Sequence, residues 1–152
     1  MRVEKDYEEL LRLFNKYKVK YCIVGAYALA FYARPRYTKD MDIFIFPDDK
    51  NAEKVVQALS DFGFGSLDIN KNDLNREGKI IQLGYEPVRI DLITGITGCR
   101  PLDVWKSRSI GIYGREKIYF IGRRELLKNK KTMGRFQDLN DLELLKKKKT
   151  KK

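Results

Sequence analysis

Residues 20–46 constrain the fold of this chain more than any other stretch. A short apolar run ends at Gly25, and an alanine-rich apolar segment follows it. Asp40 and Asp42 then stand at the head of a second apolar run, residues 43–46. This order predicts a strand, a glycine turn, a helix, a loop and a second strand, with two carboxylates where the second strand begins.

Asp40 and Asp42 are one residue apart, so both side chains project from the same face of a strand, roughly 7 Å from each other along it. Two carboxylates beside a buried strand repel each other and lose hydration unless a cation lies between them. Because the chain has no histidine, a hard divalent ion with oxygen ligands is the natural cation. The alternative interpretation is that this Asp-x-Asp only caps a turn.

A third carboxylate, Asp91, favours the metal interpretation. It lies inside an apolar, β-branched run, residues 88–93, that predicts another buried strand. An aspartate is seldom buried without a partner. If this strand pairs beside the first, a spacing of about 4.8 Å brings Asp91 next to Asp40 and Asp42. Three converging carboxylates can hold two Mg²⁺ (or Mn²⁺) ions for phosphoryl transfer.

Gly25 supplies the other half of such a site. A glycine at a strand-to-helix turn lets a ligand approach the backbone closely. The free N–H groups and the dipole of the following helix favour phosphate. A lone glycine turn matches neither a Walker loop nor a dinucleotide fingerprint. Gly25 is informative as a candidate phosphate-binding residue because of its position, one strand and one helix upstream of the paired acids.

The order of these motifs resembles the polymerase-β-type nucleotidyltransferase superfamily. The resemblance rests on Gly25-Ala26, on the Arg-x-Thr-x-Asp-x-Asp run that ends at Asp42, and on Asp91. The run is similar to that of small prokaryotic members, which include the abortive-infection-type nucleotidyltransferases. A lysine, a Gly-Arg and an Asp-x-x-Asp within residues 126–145 resemble their last motif.

The resemblance implies an α+β fold with a small mixed sheet flanked by helices, like the polymerase-β palm. It also implies a metal-dependent enzyme that moves an NMP from an NTP, such as ATP, to a hydroxyl and releases pyrophosphate. Asp40, Asp42 and Asp91 would be both the catalytic residues and the metal ligands. The nucleotide-binding residues that the resemblance implies are Gly25, Ala26, Arg36, Thr38, Lys130 and Arg135.

Two residues depart from the pattern of the superfamily. Ala26 stands where glycine or serine is usual, and Gln137 stands where lysine is common. These departures leave an alternative open, namely a catalytically weak or inactive nucleotide-binding module, such as an antitoxin-like regulator. The acceptor is not specified by the motifs, so RNA, a protein or a small molecule all remain possible partners beside the NTP, and the oligomeric state is equally open.

Composition sets broader limits. The chain has 152 residues and a net charge of +11. Its length and its hydrophobic fraction of 43% predict one globular domain over residues 1–145. Six lysines fall in residues 146–152, a tail expected to be disordered and solvated, or to add affinity for RNA by releasing counterions.

No apolar run approaches 18 residues, so we expect a cytoplasmic protein without membrane segments. The two cysteines predict free thiols rather than a disulfide.

The rest of the pattern predicts two hairpins and five further helices. Residues 79–85 and 88–93 form one predicted hairpin, and residues 109–113 and 117–121 the other. In the first hairpin, Arg89 should project on the face of Asp91, either as an ion pair or toward a phosphate. Trp105, Arg100 and Arg108 follow that hairpin and are candidates for base stacking or phosphate binding, although packing is the ordinary role of a lone tryptophan. The predicted helices are residues 6–18, a segment opened by residues 47–49, a short helix around residues 103–105, and residues 123–133 and 136–145 with a break at Gly134. The buried stripe expected in the second of these is Val55, Val56, Leu59 and Phe62.

Overall fold

The computed structural model describes residues 4–33, 40–65, 68–85 and 88–147. Within these residues, six β-strands form one sheet, and six α-helices accompany it. In chain order the elements are α1 Lys5–Lys16, β1 Tyr21–Val24, α2 Gly25–Tyr32, β2 Asp40–Ile45, α3 Asp49–Leu59, β3 Ile80–Tyr85, β4 Val88–Ile93, α4 Pro101–Lys106, β5 Ser109–Tyr113, β6 Glu116–Phe120, α5 Arg123–Met133 and α6 Phe136–Lys147.

The sheet is mixed, with strand order β3-β4-β2-β1-β6-β5. Strand β2 lies between β1, to which it is antiparallel, and β4, to which it is parallel. The two hairpins, β3–β4 and β5–β6, form the two sides of the sheet. The α+β fold with a small mixed sheet flanked by helices is therefore confirmed, and β2, which carries Asp40 and Asp42, lies near the centre of the sheet.

Burial of apolar side chains explains why the N-terminal elements form. All four residues of β1 are buried, as expected of a strand covered on both faces. Helix α1 turns one apolar stripe toward the sheet, at spacings of three and four residues. The buried members of that stripe are Tyr7, Leu10, Leu11, Leu13 and Phe14.

Asn51 fastens α3 to the ends of the two central strands. The Asp48 carboxylate accepts a hydrogen bond of 2.7 Å from the Asn51 backbone N–H and caps the helix. The buried Asn51 side chain donates to the carbonyls of Lys20 and Phe46, at 2.9 and 2.8 Å, and accepts from the Lys20 N–H at 2.7 Å. One side chain thereby holds the start of β1 beside the end of β2.

The structure corrects several predicted boundaries. Helix α3 ends at Leu59, and Phe62, which was expected in its buried stripe, lies half-buried in a π-helical turn, Ser60–Phe64. Gly63 interrupts that turn with a φ of 113°, a conformation that side chains disfavour. Helix α6 continues through Lys147 and so includes the first two residues of the predicted tail, and residues 148–152 lie outside the described residues.

Two further findings concern the cysteines and the membrane. Cys22 and Cys99 are both buried free thiols. Among the helices of the described ranges, none combines the length and the apolar character that crossing a bilayer requires.

Candidate active site

Three aspartates come together on the neighbouring strands β2 and β4. Asp42 is the direct register partner of Asp91, and Asp40 stands opposite Arg89. Because the two strands are parallel and adjacent, Asp42 and Asp91 lie side by side on one face of the sheet, about 4.8 Å apart along the hydrogen-bonding direction. Asp40 shares that face two residues earlier.

The Arg89 guanidinium lies against two of these three carboxylates. Its Nε and Nη2 donate to the Asp91 carboxylate at 3.2 and 3.1 Å, and its Nη1 is 3.8 Å from Asp40 Oδ2. Arg89 and Asp40 are each 33% exposed, whereas Asp91 is only 16% exposed. Arg89 lies on the same face as Asp91, as the sequence pattern predicts. Its ion-pair partners are the carboxylates of the acid cluster itself.

Gly25 lies in contact with Asp42. It has a φ of 65°, in the left-handed region, and it begins α2 directly after β1. A Cβ atom at this position would be 2.5 Å from Asp42 Oδ2, closer than any non-bonded contact permits. Only glycine therefore allows both the turn and the approach of the carboxylate, which joins the helix N-terminus and the acid cluster in one site.

Burial strongly perturbs the carboxyl group of Asp42. Loss of hydration, followed by repulsion from Asp91 and Asp40, raises the pKa of Asp42 from its ordinary 3.8 to about 6. The positive charges of Arg89 and Lys130 act in the opposite direction but do not cancel these effects. Two neighbouring carboxylates that have lost hydration and repel each other attract a further cation strongly.

We expect this electrostatic strain to be visible in the stability of the metal-free protein. Since the pKa of Asp42 is higher in the folded state, the folded state binds more protons between about pH 4 and pH 6, and stability falls as the pH rises through that window. Asp42→Asn removes the penalty, so the variant should be more stable than wild type by about 2–3 kcal/mol above pH 6. The gain should disappear near pH 4.

Urea unfolding in EDTA at a series of pH values measures this difference. Asp68→Asn, at an exposed carboxylate outside the cluster, is the matched control and should track wild type at every pH. A variant Asp42→Asn that is equally or less stable above pH 6 would contradict the proposed strain.

A buried ionic network stands beside the acids, between α5 and α6. Lys130, 9% exposed, places its Nζ 3.0 Å from Asp141 and 3.6 Å from Asp138. Arg135 donates from Nε to Asp138 at 2.6 Å, and this hydrogen bond lowers the pKa of Asp138. Asp138 and Asp141 are therefore the ion-pair partners of nearby cations. The network fixes Lys130 in a position from which its positive charge lowers the pKa of Asp42.

These residues border an open cleft of about 730 Å³. Gly25, Ala26, Asp42, Lys130 and Arg135 line it, while Asp40 and Asp91 do not. Its size is in the range of a nucleotide-sized ligand site.

Sequence reasoning missed part of the wall of this cleft. The missed residues lie in the turn before β3 and the loop after β4, and on α5: Glu77, Lys79, Gly95, Thr97, Gly98 and Asn129. A loop directly after an acid-bearing strand is well placed to contact substrate. Its glycines and Asn129, whose side chain donates to the Thr97 carbonyl at 2.9 Å, were the available signal.

Other predicted residues do not reach the cleft or fall outside the described part. Arg36 and Thr38 lie outside the described residues, so their roles stay predictions. Arg100 pairs with Asp103 at 3.0 Å on α4. Trp105 and Arg108 pack together elsewhere, and they are not among the lining residues of the cleft.

The donor chemistry of the acid cluster suits Mg²⁺ or Mn²⁺, since three carboxylates supply only hard oxygen ligands. Within the residues that the structure describes, however, no three Asp, Glu, Cys or His side chains are arranged as a ready-made metal site. Arg89 is the cation that now lies against Asp40 and Asp91. The two-metal site therefore remains a prediction. It is supported by the oxygen ligands that the carboxylates offer and by the raised pKa of Asp42.

Comparisons with known proteins bear on the fold. No protein-family model and no curated protein matches the sequence. LnuA, a lincosamide antibiotic adenylyltransferase solved with bound lincomycin, aligns at 18% identity and a TM-score of 0.55, over 96% of this chain and 98% of that chain. A Thermotoga maritima protein assigned as a nucleotidyltransferase aligns at 16% identity and a TM-score of 0.56, over 99% and 97%. The antibiotic-resistance factor ANT(2'')-Ia aligns at 10% identity and a TM-score of 0.56, over 92% and 80%. The chain therefore has the fold of the nucleotidyltransferases.

Proposed function

We propose that this protein transfers an NMP from an NTP to an acceptor hydroxyl and releases pyrophosphate. The observation that carries the proposal is the pairing of Asp42 with Asp91 on adjacent strands, in contact with the glycine turn at the N-terminus of α2. Carboxylates alone would repel a triphosphate, so they suit a site in which a divalent cation is also bound. The fold that the chain shares with nucleotidyltransferases supports the same reaction.

Each residue of the site has a distinct task in this proposal. Asp40 and Asp42 would hold the cations, and Asp91 would complete the ligand set and accept the proton of the incoming hydroxyl. The chemistry that Mg²⁺ or Mn²⁺ supplies when bound is neutralisation of triphosphate charge and Lewis-acid activation at the reacting phosphate. The backbone N–H groups at Gly25 and Ala26 would bind phosphate oxygens at the helix N-terminus.

Two cations, Lys130 on α5 and Arg135 between α5 and α6, would act on the nucleotide from the other wall of the cleft. Lys130 is fixed by Asp138 and Asp141, so its charge is held in place before the nucleotide arrives. Arg135 is 66% exposed and can turn its guanidinium toward a phosphate. Arg36 would sit near the phosphates as a charge clamp, and Thr38 would orient Asp40 or the phosphate.

Arg89 competes with the metal for Asp40 and Asp91 in this proposal. Its removal frees two carboxylates and takes one positive charge away from a site that binds cations. We expect Arg89→Gln to bind Mn²⁺ more tightly than wild type by on the order of tenfold, because a unit charge about 4 Å away contributes one to a few kcal/mol. Titration of the nucleotide-free protein with Mn²⁺, followed by electron paramagnetic resonance, measures the affinity.

Arg100→Gln provides the matched control for Arg89→Gln. Arg100 pairs with Asp103 and does not touch the acid cluster, so its removal should leave the Mn²⁺ affinity within about twofold of wild type. An unchanged or weaker affinity in Arg89→Gln would mean that Arg89 supports the site instead of competing for it.

Label transfer tests the proposed function itself. The protein is incubated with each α-³²P-labelled NTP and Mg²⁺ or Mn²⁺, together with cellular RNA, a protein fraction or a small-molecule extract containing hydroxylated antibiotics. We expect label in one acceptor class, and release of pyrophosphate with it. No transfer from any NTP, combined with nucleotide binding in the cleft, would instead support the non-catalytic, regulatory module that Ala26 leaves open.

A further inference from the structure

A second cleft, of about 640 Å³, lies away from the acid cluster. The side chains that characterise it are four lysines and two aromatic rings: Lys18, Lys20, Lys54, Lys117, Trp105 and Tyr119. We refer to it as the lysine cleft. It shares no lining residue with the cleft at Asp42.

The lysine cleft lies at the opposite end of β1 from the glycine turn. Lys20 directly precedes this strand and Gly25 directly follows it. Strand β6 runs parallel to β1, with Phe120 opposite Ile23, so Lys117 near its start stands at the same end as Lys20. Four strand residues separate the two ends by roughly 13 Å. A ligand in the lysine cleft would therefore be distinct from a triphosphate at Asp42.

The charge of this cleft is one-sided. Among the described residues, no carboxylate lines it, and none of its four lysines forms an ion pair. The Glu116 carboxylate borders it only through Asn15, whose Nδ2 donates to Glu116 at 3.1 Å. Four like charges around one depression repel each other, and an anion bound among them would relieve that repulsion.

The aromatic rings of the cleft are held in place by a fifth cation. The Arg108 guanidinium stacks 3.6 Å from the centroid of Trp105 and 4.9 Å from that of Tyr119. Its Nη1 donates to the Trp105 carbonyl at 2.8 Å, and the two rings meet edge to face at 5.5 Å. The rings are thus rigid before any ligand arrives, which reduces the entropy lost on binding.

We propose that the lysine cleft binds single-stranded RNA. A basic groove with fixed aromatic side chains is the arrangement that binds phosphates and stacks bases without reading their sequence. An acidic peptide would use the lysines but would bring no base to stack on the rings, so RNA fits the lining better. This inference goes beyond the proposed transfer reaction and does not depend on it.

Trp105 is the only tryptophan of the chain, so its fluorescence reports directly on the cleft. An oligouridylate of about eight nucleotides is titrated into the full-length protein without NTP or divalent metal, and Trp105 quenching is followed together with the anisotropy of labelled RNA. We expect saturable quenching, with an affinity that falls steeply between about 50 and 200 mM salt. Because nucleotide is absent, a negative result here is separate from a failure of label transfer.

Charge reversal at the rim then tests the location. Lys54→Glu with Lys117→Glu should weaken RNA binding at least about tenfold and lower the salt slope by about 1.4, or 0.7 for each lost phosphate contact. The double variant Lys128→Glu with Lys131→Glu changes the net charge equally on the exposed face of α5 and should weaken binding less than about threefold. Lys54→Gln with Lys117→Gln repeats the test if the reversed charges impair folding.

Three results would overturn the proposal. One is RNA binding without quenching of Trp105, and another is an equal loss in both double variants, which would assign the binding to overall charge or to the lysine tail. The third is equal binding of polyglutamate of matched charge, which would make the cleft a general polyanion surface.

Discussion

Asp42→Asn should reduce nucleotide transfer by about a thousandfold or more, since losing even one preorganised electrostatic group in an active site costs two to three orders of magnitude. The substitution keeps the size of the side chain and its contact with Gly25, but removes the negative charge that the proposed cation requires. The same variant is expected to gain stability in the metal-free state, because burial and Asp91 raise the pKa of Asp42 to about 6. Activity and stability should therefore move in opposite directions.

This opposition distinguishes a functional residue from a structural one. Label transfer and urea unfolding are measured on the same preparations of wild type, Asp42→Asn and the surface control Asp68→Asn. If Asp42→Asn retains more than about a tenth of wild-type transfer, Asp42 is not part of the reacting site. If it loses transfer together with its fold, the measurement says only that the side chain supports the structure, and the account of its strained charge is wrong.

Gly25→Ala is expected to have the second-largest effect, on both stability and transfer. An alanine at a φ of 65° carries about 1–2 kcal/mol of backbone strain. Its Cβ would also meet Asp42 Oδ2 at 2.5 Å, and relief of such overpacking typically costs a further 1–3 kcal/mol, approximately. Because the movement that relieves the contact displaces Asp42 or the first turn of α2, transfer should be lost as well.

Gly134 offers a matched control for the backbone part of this effect. Its φ is 64°, and a Cβ there would have its nearest neighbour, the Lys131 carbonyl oxygen, at an ordinary 3.6 Å. Gly134→Ala should therefore show only the strain of about 1–2 kcal/mol. In an Asp42→Ala background the excess loss of Gly25→Ala over Gly134→Ala should shrink, which a double-mutant cycle in thermal unfolding measures. An excess that persists would mean that Gly25 acts through something other than the carboxylate.

The order of helices and strands could be predicted from the sequence because each element carries a local signal. Apolar runs marked β1, β2 and β4, three- and four-residue spacing marked α1, and Gly134 marked the break between the last two helices. The D-x-D motif and Asp91 were recognisable for the same reason, since acids within apolar strands are rare.

What the sequence could not specify is the pairing of distant strands. Nothing local indicates that β4 pairs in parallel with β2 or that Asp91 falls opposite Asp42, because register is determined by the packing of whole elements. The dual contact of Arg89 depends on that pairing, and the location of Trp105 and Arg108 depends on their packing against Tyr119 of β6. Trp105 and Arg108 follow the acid-bearing strand in sequence, but Trp105 lines the lysine cleft and Arg108 stacks on its ring, away from Asp42.

The most direct test of the central claim is a crystal structure with Mn²⁺ and a non-hydrolysable NTP analogue, with data collected at the manganese absorption edge. We predict an anomalous peak bound by the carboxylates of Asp42 and Asp91, with the Arg89 guanidinium displaced from them and the triphosphate against the Gly25 turn. A nucleotide bound elsewhere, with Arg89 still paired to Asp91 and no manganese at the acids, would contradict the account.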